Sequence, residues 1–107
     1  QKLKNISIEG QNLEFISERA YRLGRCYQQI NNQEEALKWL NKSIDSGKSL
    51  PLYFAASASY QMGKIYTRQN RVAEAIVAFR RVSQFPNHPY KGSIDAKAKS
   101  AINRISN

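Results

Sequence analysis

Glycine interrupts a helix-period stretch twice in this 107-residue chain, at Gly24 and Gly63, and both times the same residues surround it. A glycine within a helix costs roughly 1 kcal/mol relative to alanine. Its placement at one equivalent position in two helices implies that a Cβ there would obstruct close packing. Aligned without a gap, residues 20–43 and 59–82 share six identities over 24 positions: Tyr21/Tyr60, Gly24/Gly63, Tyr27/Tyr66, Asn31/Asn70, Glu35/Glu74 and Ala36/Ala75. The pairs Leu23/Met62, Arg25/Lys64, Leu37/Ile76 and Leu40/Phe79 are conservative besides. The chain is an internal duplication with an offset of 39 residues.

Apolar and small residues recur at steps of three and four through both copies, which is the helical period. Leu13, Ile16, Ala20, Leu23, Tyr27 and Ile30 predict a first helix from Asn12 to about Gln29. Asn31-Asn32 ends it, and Ala36, Leu37, Leu40 and Ile44 predict a second helix from Gln33 to about Asp45, antiparallel to the first across so short a turn. Ser46-Gly47 closes this hairpin. Pro51 suits the first turn of a third helix running from Leu52 to about Gln69. Asn70-Arg71 repeats the earlier turn, and a fourth helix from Val72 to about Gln84 stops at Pro86, with Ala75, Ile76, Phe79 and Val82 facing inward. After the stiff connector Phe85 to Gly92, Ser93 reads as the N-cap of a last helix with Ile94, Ala98, Ala101, Ile102 and Ile105 along its apolar stripe. This helix is expected to cap the fourth. The opening segment, Gln1 to Gly10, reads as the remnant of a preceding helix, and a chain that opens on Gln1 is expected to be processed or a piece of a longer one.

Leu23-Gly24, Tyr27, Ala36 and Leu40, echoed by Met62-Gly63, Tyr66, Ala75 and Phe79, resemble the tetratricopeptide repeat. That repeat runs W-x2-L-G-x2-Y, then A-x3-F, then P, with a period of about 34 residues. The resemblance covers Ala20 to Pro89, and the chain departs from the pattern in two ways. Ala20 and Ser59 occupy the tryptophan position, and the spacing is 39 residues, the excess falling in Ser46 to Leu52 or in an extended start of the next helix. The resemblance implies an all-α fold: a right-handed stack of two antiparallel hairpins, residues 12–45 and 52–84, followed by a capping helix at 93–106, all in one domain spanning 1–107. The hairpins are expected to nest through the glycine notches, with Ala36 and Ala75 as the surfaces approached. About three repeats are usually needed to bury such faces. Two therefore suggest packing on further repeats of a parent chain, or self-association.

Seventeen Lys and Arg against eight Asp and Glu give a net charge of +9, which favours acidic partners. Tetratricopeptide proteins generally line an inner groove with the first helix of each hairpin. Opposite the packing residues of those helices stand Arg22, Arg25 and Gln29, then Gln61, Lys64 and Arg68, flanked by Tyr21 and Tyr60. The implied function is a noncatalytic protein-interaction scaffold whose basic groove receives an acidic or extended segment of a partner. The alternative is binding of single-stranded RNA or another polyanion, although the cations do not form one dense stripe and no RNA-reading motif is present. A chaperone-tail clamp of lysine and asparagine does not carry over, because the corresponding positions hold Tyr21, Arg25 and Gln61. The carboxyl third, Ala75 to Val82 with Phe85 to Tyr90, is similar to repeats of bacterial envelope tetratricopeptide proteins. From Tyr90 onward it is similar to the tetratricopeptide repeat protein 39 family.

Other chemistry lacks a constellation. His88 is the only histidine and reads as a surface turn residue; no metal-ligand spacing, P-loop, dinucleotide loop or catalytic triad pattern is present, so neither enzyme activity, metal nor cofactor is expected. Cys26 is alone and reads as a small apolar residue filling the space that Ile65 occupies in the second copy. No apolar run approaches the ~20 residues of a membrane span. The expectation is a soluble piece, cytoplasmic or periplasmic.

Overall fold

The computed structural model describes residues 2–50, 53–86 and 88–106, with side chains from residue 12 onward. Pro51 and Leu52, expected at the start of the third helix, lie outside the described residues, as do Asn87 and the side chains of Leu3, Ile6 and Ile8. Every regular element among the described residues is helical: α1 (Lys2–Gln29), α2 (Gln33–Gly47), α3 (Tyr53–Arg68), α4 (Val72–Arg81) and α5 (Lys91–Ser106). A 3-10 turn, Val82–Gln84, replaces the expected last turn of the fourth helix. Residues 2–10 are not a separate helix but the first turns of α1. Gly47, at the end of α2, lies against Ser17, so the amino-terminal half of α1 runs on past its antiparallel partner.

The two hairpin turns are built alike. Asn31 and Asn70 sit in the left-handed region at φ 64° and 60°, a conformation asparagine tolerates better than most residues. In the first turn, Asn31 N–H donates to the Gln28 carbonyl and Asn32 N–H to that of Tyr27; in the second, Asn70 and Arg71 do the same to Thr67 and Tyr66. Each helix end thus satisfies its last carbonyls in a Schellman arrangement. Asn32 then caps α2 by accepting from Glu35 N–H at 3.3 Å. Arg71 has no such side-chain cap on α4; its guanidinium pairs with Glu74 at 2.8 Å and lies over the Tyr66 ring.

The glycine notches lie inside each hairpin, not between hairpins. A Cβ on Gly24 would meet Leu40 side-chain atoms at 2.7 Å, and one on Gly63 would meet the Phe79 ring at 2.5 Å. Leu40 and Phe79, not Ala36 and Ala75, are therefore the surfaces approached. The physical reason is that the large residue one turn further along the partner helix fills the gap left by the missing side chain, while the buried alanines bring the backbones together. One core runs through the stack from Ala36, Leu40 and Ile44 through Ala55, Ala58 and Ile65 to Phe79, Val82, Ile94 and Ala98.

The last helix begins at Lys91 rather than after Ser93, because Tyr90 turns the chain at φ 67° and its carbonyl already accepts from Ile94 N–H. It packs on α4 and also on α3, so it does more than cap the fourth helix. In the connector, His88 is buried, its ring edge-on to Tyr53 at 6.3 Å and its Nδ1 2.9 Å from the Pro89 carbonyl. The expectation of a surface histidine fails because α5 folds back and carries the connector over α3. Cys26 is exposed, although its counterpart Ile65 is buried. Ile65 lies where α3 meets α1, whereas the same side of α1 has no helix against it among the described residues. Leu13 and Ile30 of the first apolar stripe are exposed as well.

Candidate functional site

The first helices of the hairpins, α1 and α3, lie side by side, with α5 beside α3. Gln28 Nε2 donates to Gln61 Oε1 at 3.1 Å, and Ser57 Oγ donates to the Tyr21 hydroxyl at 2.8 Å. These bonds tie α1 to α3 along their length. Two of the expected groove residues, Tyr21 and Gln61, are thereby engaged in the seam between the helices. Tyr21 also packs its ring on Phe54 at 5.8 Å. Arg22, the position equivalent to Gln61, lies on the uncovered side of α1 and pairs with Glu18 at 2.7 Å.

Arg25, Gln29, Lys64 and Arg68 come together around one cavity of about 330 Å³ between α1 and α3, with Gln28 and Gln33 at its edge. A second cavity of about 200 Å³, between α3 and α5, is lined by Tyr60, Lys64, Arg68 and Arg104. Lys64 is the hinge of the arrangement, since it borders both cavities. Its ammonium lies 5.8 Å from the centre of the Tyr60 ring, within cation–π range, and Tyr60 in turn packs on Phe79. Partial burial holds the Lys64 pKa below the ordinary lysine range, and Arg25, Arg68 and Lys97 push it the same way. Removal from water and three like charges both disfavour the ammonium form. An anion placed between these groups would relieve that cost.

Further along α3 a third cavity, about 360 Å³, is walled by Tyr53, Tyr60 and Tyr90, with Ser57, Ile94 and Lys97 around it. Tyr53 and Tyr90 meet edge to face at 5.8 Å. The expected site does not include Tyr53, Tyr90, Lys97 or Arg104, because the last helix is expected only to cap α4. A signal was available. The spacing of Phe54, Ala58, Gln61 and Ile65 on α3 recurs as Ile94, Ala98, Ala101 and Ile105 on α5, which puts Arg104 where the repeats have Lys64 and Arg25.

Five cations, Arg25, Lys64, Arg68, Lys97 and Arg104, thus line these three neighbouring cavities. Ion pairs among the described residues join Arg22 to Glu18, Lys38 to Glu35, Arg71 to Glu74 and Lys91 to Asp95; none involves those five. The described residues contain no group of three or more His, Cys, Asp or Glu placed to hold a metal ion. No helix among them is long and apolar enough to cross a membrane.

Residues 17–46 and 57–88 each match a family model described as a tetratricopeptide repeat, and together the two matches cover more than half of the chain. They are matches to the repeat itself and do not extend to the envelope or repeat-protein-39 likeness. Comparison with curated proteins and with solved structures finds no match. Two repeat matches laid over two helical hairpins, each with its glycine seated against the large residue of the partner helix, establish that the chain belongs to the tetratricopeptide repeat family, whose repeats generally mediate contacts between proteins.

Proposed function

We propose that this protein is a noncatalytic interaction scaffold that holds an acidic, extended segment of a partner protein across the surface formed by α1, α3 and α5. The observation that carries the reading is the set of five cations from three adjacent helices without a carboxylate partner among the described residues. Helices already packed in place leave the incoming segment to bear most of the ordering entropy. Each exposed ion pair contributes only ~0–1 kcal/mol, so useful affinity requires several at once. Arg25 and Lys64 supply charge at equivalent places in the two repeats, Arg68 and Arg104 extend it, and Tyr60 offers an aromatic face beside it. Tyr21 and Gln61 hold α1 against α3 and keep these cations in register. Arg22, paired with Glu18, stands at the margin.

The test is fluorescence anisotropy with labelled decaglutamate, decalysine and a ten-nucleotide oligouridylate, each at low and at physiological salt. Decaglutamate is expected to bind, decalysine not at all, and the double variant Arg25→Glu/Lys64→Glu to weaken decaglutamate binding by about tenfold or more. Tighter binding of the oligouridylate than of decaglutamate, with a steep loss on adding salt, would favour the polyanion alternative. A double variant that retains full affinity for decaglutamate would remove the groove from consideration.

A further inference from the structure

We infer that the segment this surface takes is a polyproline II strand carrying an acidic residue at every third position. The inference rests on the proposed basic groove and adds the partner's conformation and spacing. Arg25, Lys64 and Arg104 stand at one equivalent place on α1, α3 and α5, each followed directly by the residue at one register position: Cys26, Ile65 and Ile105. Lys64 shares one cavity with Arg25 and another with Arg104, so the three form a row across the helices and not along one of them. Packed helix axes lie about 8–10 Å apart, so the backbone positions that carry the row repeat at about that interval. A polyproline II strand has three residues per turn and rises about 3.1 Å per residue, so positions i, i+3 and i+6 fall on one side at about 9 Å intervals. A β-type strand of the same length alternates sides at each residue and would turn every second acid of a three-residue spacing away from the row.

The tyrosines fit the same occupant. Polyproline II segments dock in aromatic-lined grooves, where the flat rings pack against the prolines and the preformed strand loses little entropy on binding. Here Tyr53, Tyr60 and Tyr90 wall the cavity beside the cation row, and Tyr60 belongs to both features. The ring of Tyr90 is exposed, which leaves that wall open to a partner. Lys97, at the edge of the tyrosine cavity, is close enough to Lys64 to disfavour its charge, so the aromatic and cationic parts form one continuous surface.

Three labelled nonapeptides decide the matter at low salt: Glu-Pro-Pro repeated three times, the same composition with the three glutamates adjacent, and Glu-Gly-Gly repeated three times. The periodic proline peptide is expected to bind at least about fivefold more tightly than either of the others, because only it has both the spacing and the stiffness. Arg104→Glu is expected to weaken that peptide several-fold, and by a larger factor than it weakens the clustered one. Equal or tighter binding of the clustered peptide, or indifference of the periodic one to Arg104→Glu, overturns the inference. If both proline peptides bind alike and both are lost in Arg25→Glu/Lys64→Glu, the spacing falls and the basic groove stands. If none of the three binds wild type, both fall.

Discussion

Ser17 and Ser43 exchange hydrogen bonds across the first hairpin: Ser17 Oγ donates to the Ser43 carbonyl at 2.8 Å, and Ser43 Oγ donates to the Ser17 carbonyl at 2.7 Å. Both side chains are fully buried. One repeat further on, the equivalent positions are Ala56 and Val82, also fully buried. The two hairpins close the same seam by different means, one with a polar pair and one with an apolar pair. A typical intramolecular hydrogen bond contributes about 0.5–1.5 kcal/mol net, while replacing both partners by apolar groups of similar shape is nearly neutral. Ser43→Ala alone should therefore lower stability by about 1 kcal/mol, and Ser17→Ala/Ser43→Val, which copies the second repeat, should lower it by less. Urea titrations of wild type and the two variants measure this; a double variant less stable than Ser43→Ala would show that the seam depends on the polar pair.

Gly63 lies so close to the Phe79 ring that a methyl group has no room. Gly63→Ala improves helix propensity by up to about 1 kcal/mol, yet overpacking a core costs about 1–3 kcal/mol. Net destabilisation is expected. Adding Phe79→Ala to Gly63→Ala should cost less than the two changes do separately, since the second removes the obstruction met by the first. Additive losses in a denaturation cycle would show that the ring is not what excludes the Cβ.

Asn31 and Asn70 carry the turns in left-handed conformation. Alanine there should cost roughly 1–2 kcal/mol per site, and glycine should be tolerated at little or no cost. Thermal melts of Asn70→Ala and Asn70→Gly separate the two: similar losses would locate the asparagine's value in its side chain instead of its backbone.

Lys64 has a lower pKa in the folded protein than in the unfolded chain, first through partial burial and then through Arg25, Arg68 and Lys97. The folded state therefore holds fewer protons than the unfolded state in the alkaline window between the lowered value and the ordinary one. Stability rises with pH across that window, and below it the lysine charge opposes folding. Lys64→Gln should melt above wild type at neutral pH and low salt, with the gap closing as pH passes the ordinary lysine value of 10.5. Added salt should narrow the gap too. Paired melts at neutral and strongly alkaline pH measure it; a gap that widens with pH would contradict the assigned sign.

Cys26 is exposed on the uncovered side of α1. The native protein should accept one equivalent of a maleimide or an aromatic disulfide reagent without denaturant and keep its helical circular dichroism. Labelling that requires unfolding would place another surface against that side of α1.

The duplication, the turn asparagines and the helix period are local properties, and they were sufficient to place two antiparallel hairpins; the expectation of a cationic groove on the first helices came from the resemblance to the tetratricopeptide repeat. A glycine kept in two helix interiors announces close packing, but its partner is chosen by rotation between helices, and so Leu40 and Phe79 rather than Ala36 and Ala75 fill the notches. Whether a given side of a helix is covered is likewise a long-range matter. Cys26 and Ile65 share a register position yet differ in exposure, because α3 packs on α1 whereas no described helix covers the matching side of α1. The same holds for His88, buried when α5 folds back, and for Arg104 and Lys97, brought beside Lys64 by that docking. Sequence determined which helices form and which charges they carry, since periodicity and turn chemistry act within a few residues; only tertiary packing decided that cations of a third helix, α5, lie beside those of α1 and α3.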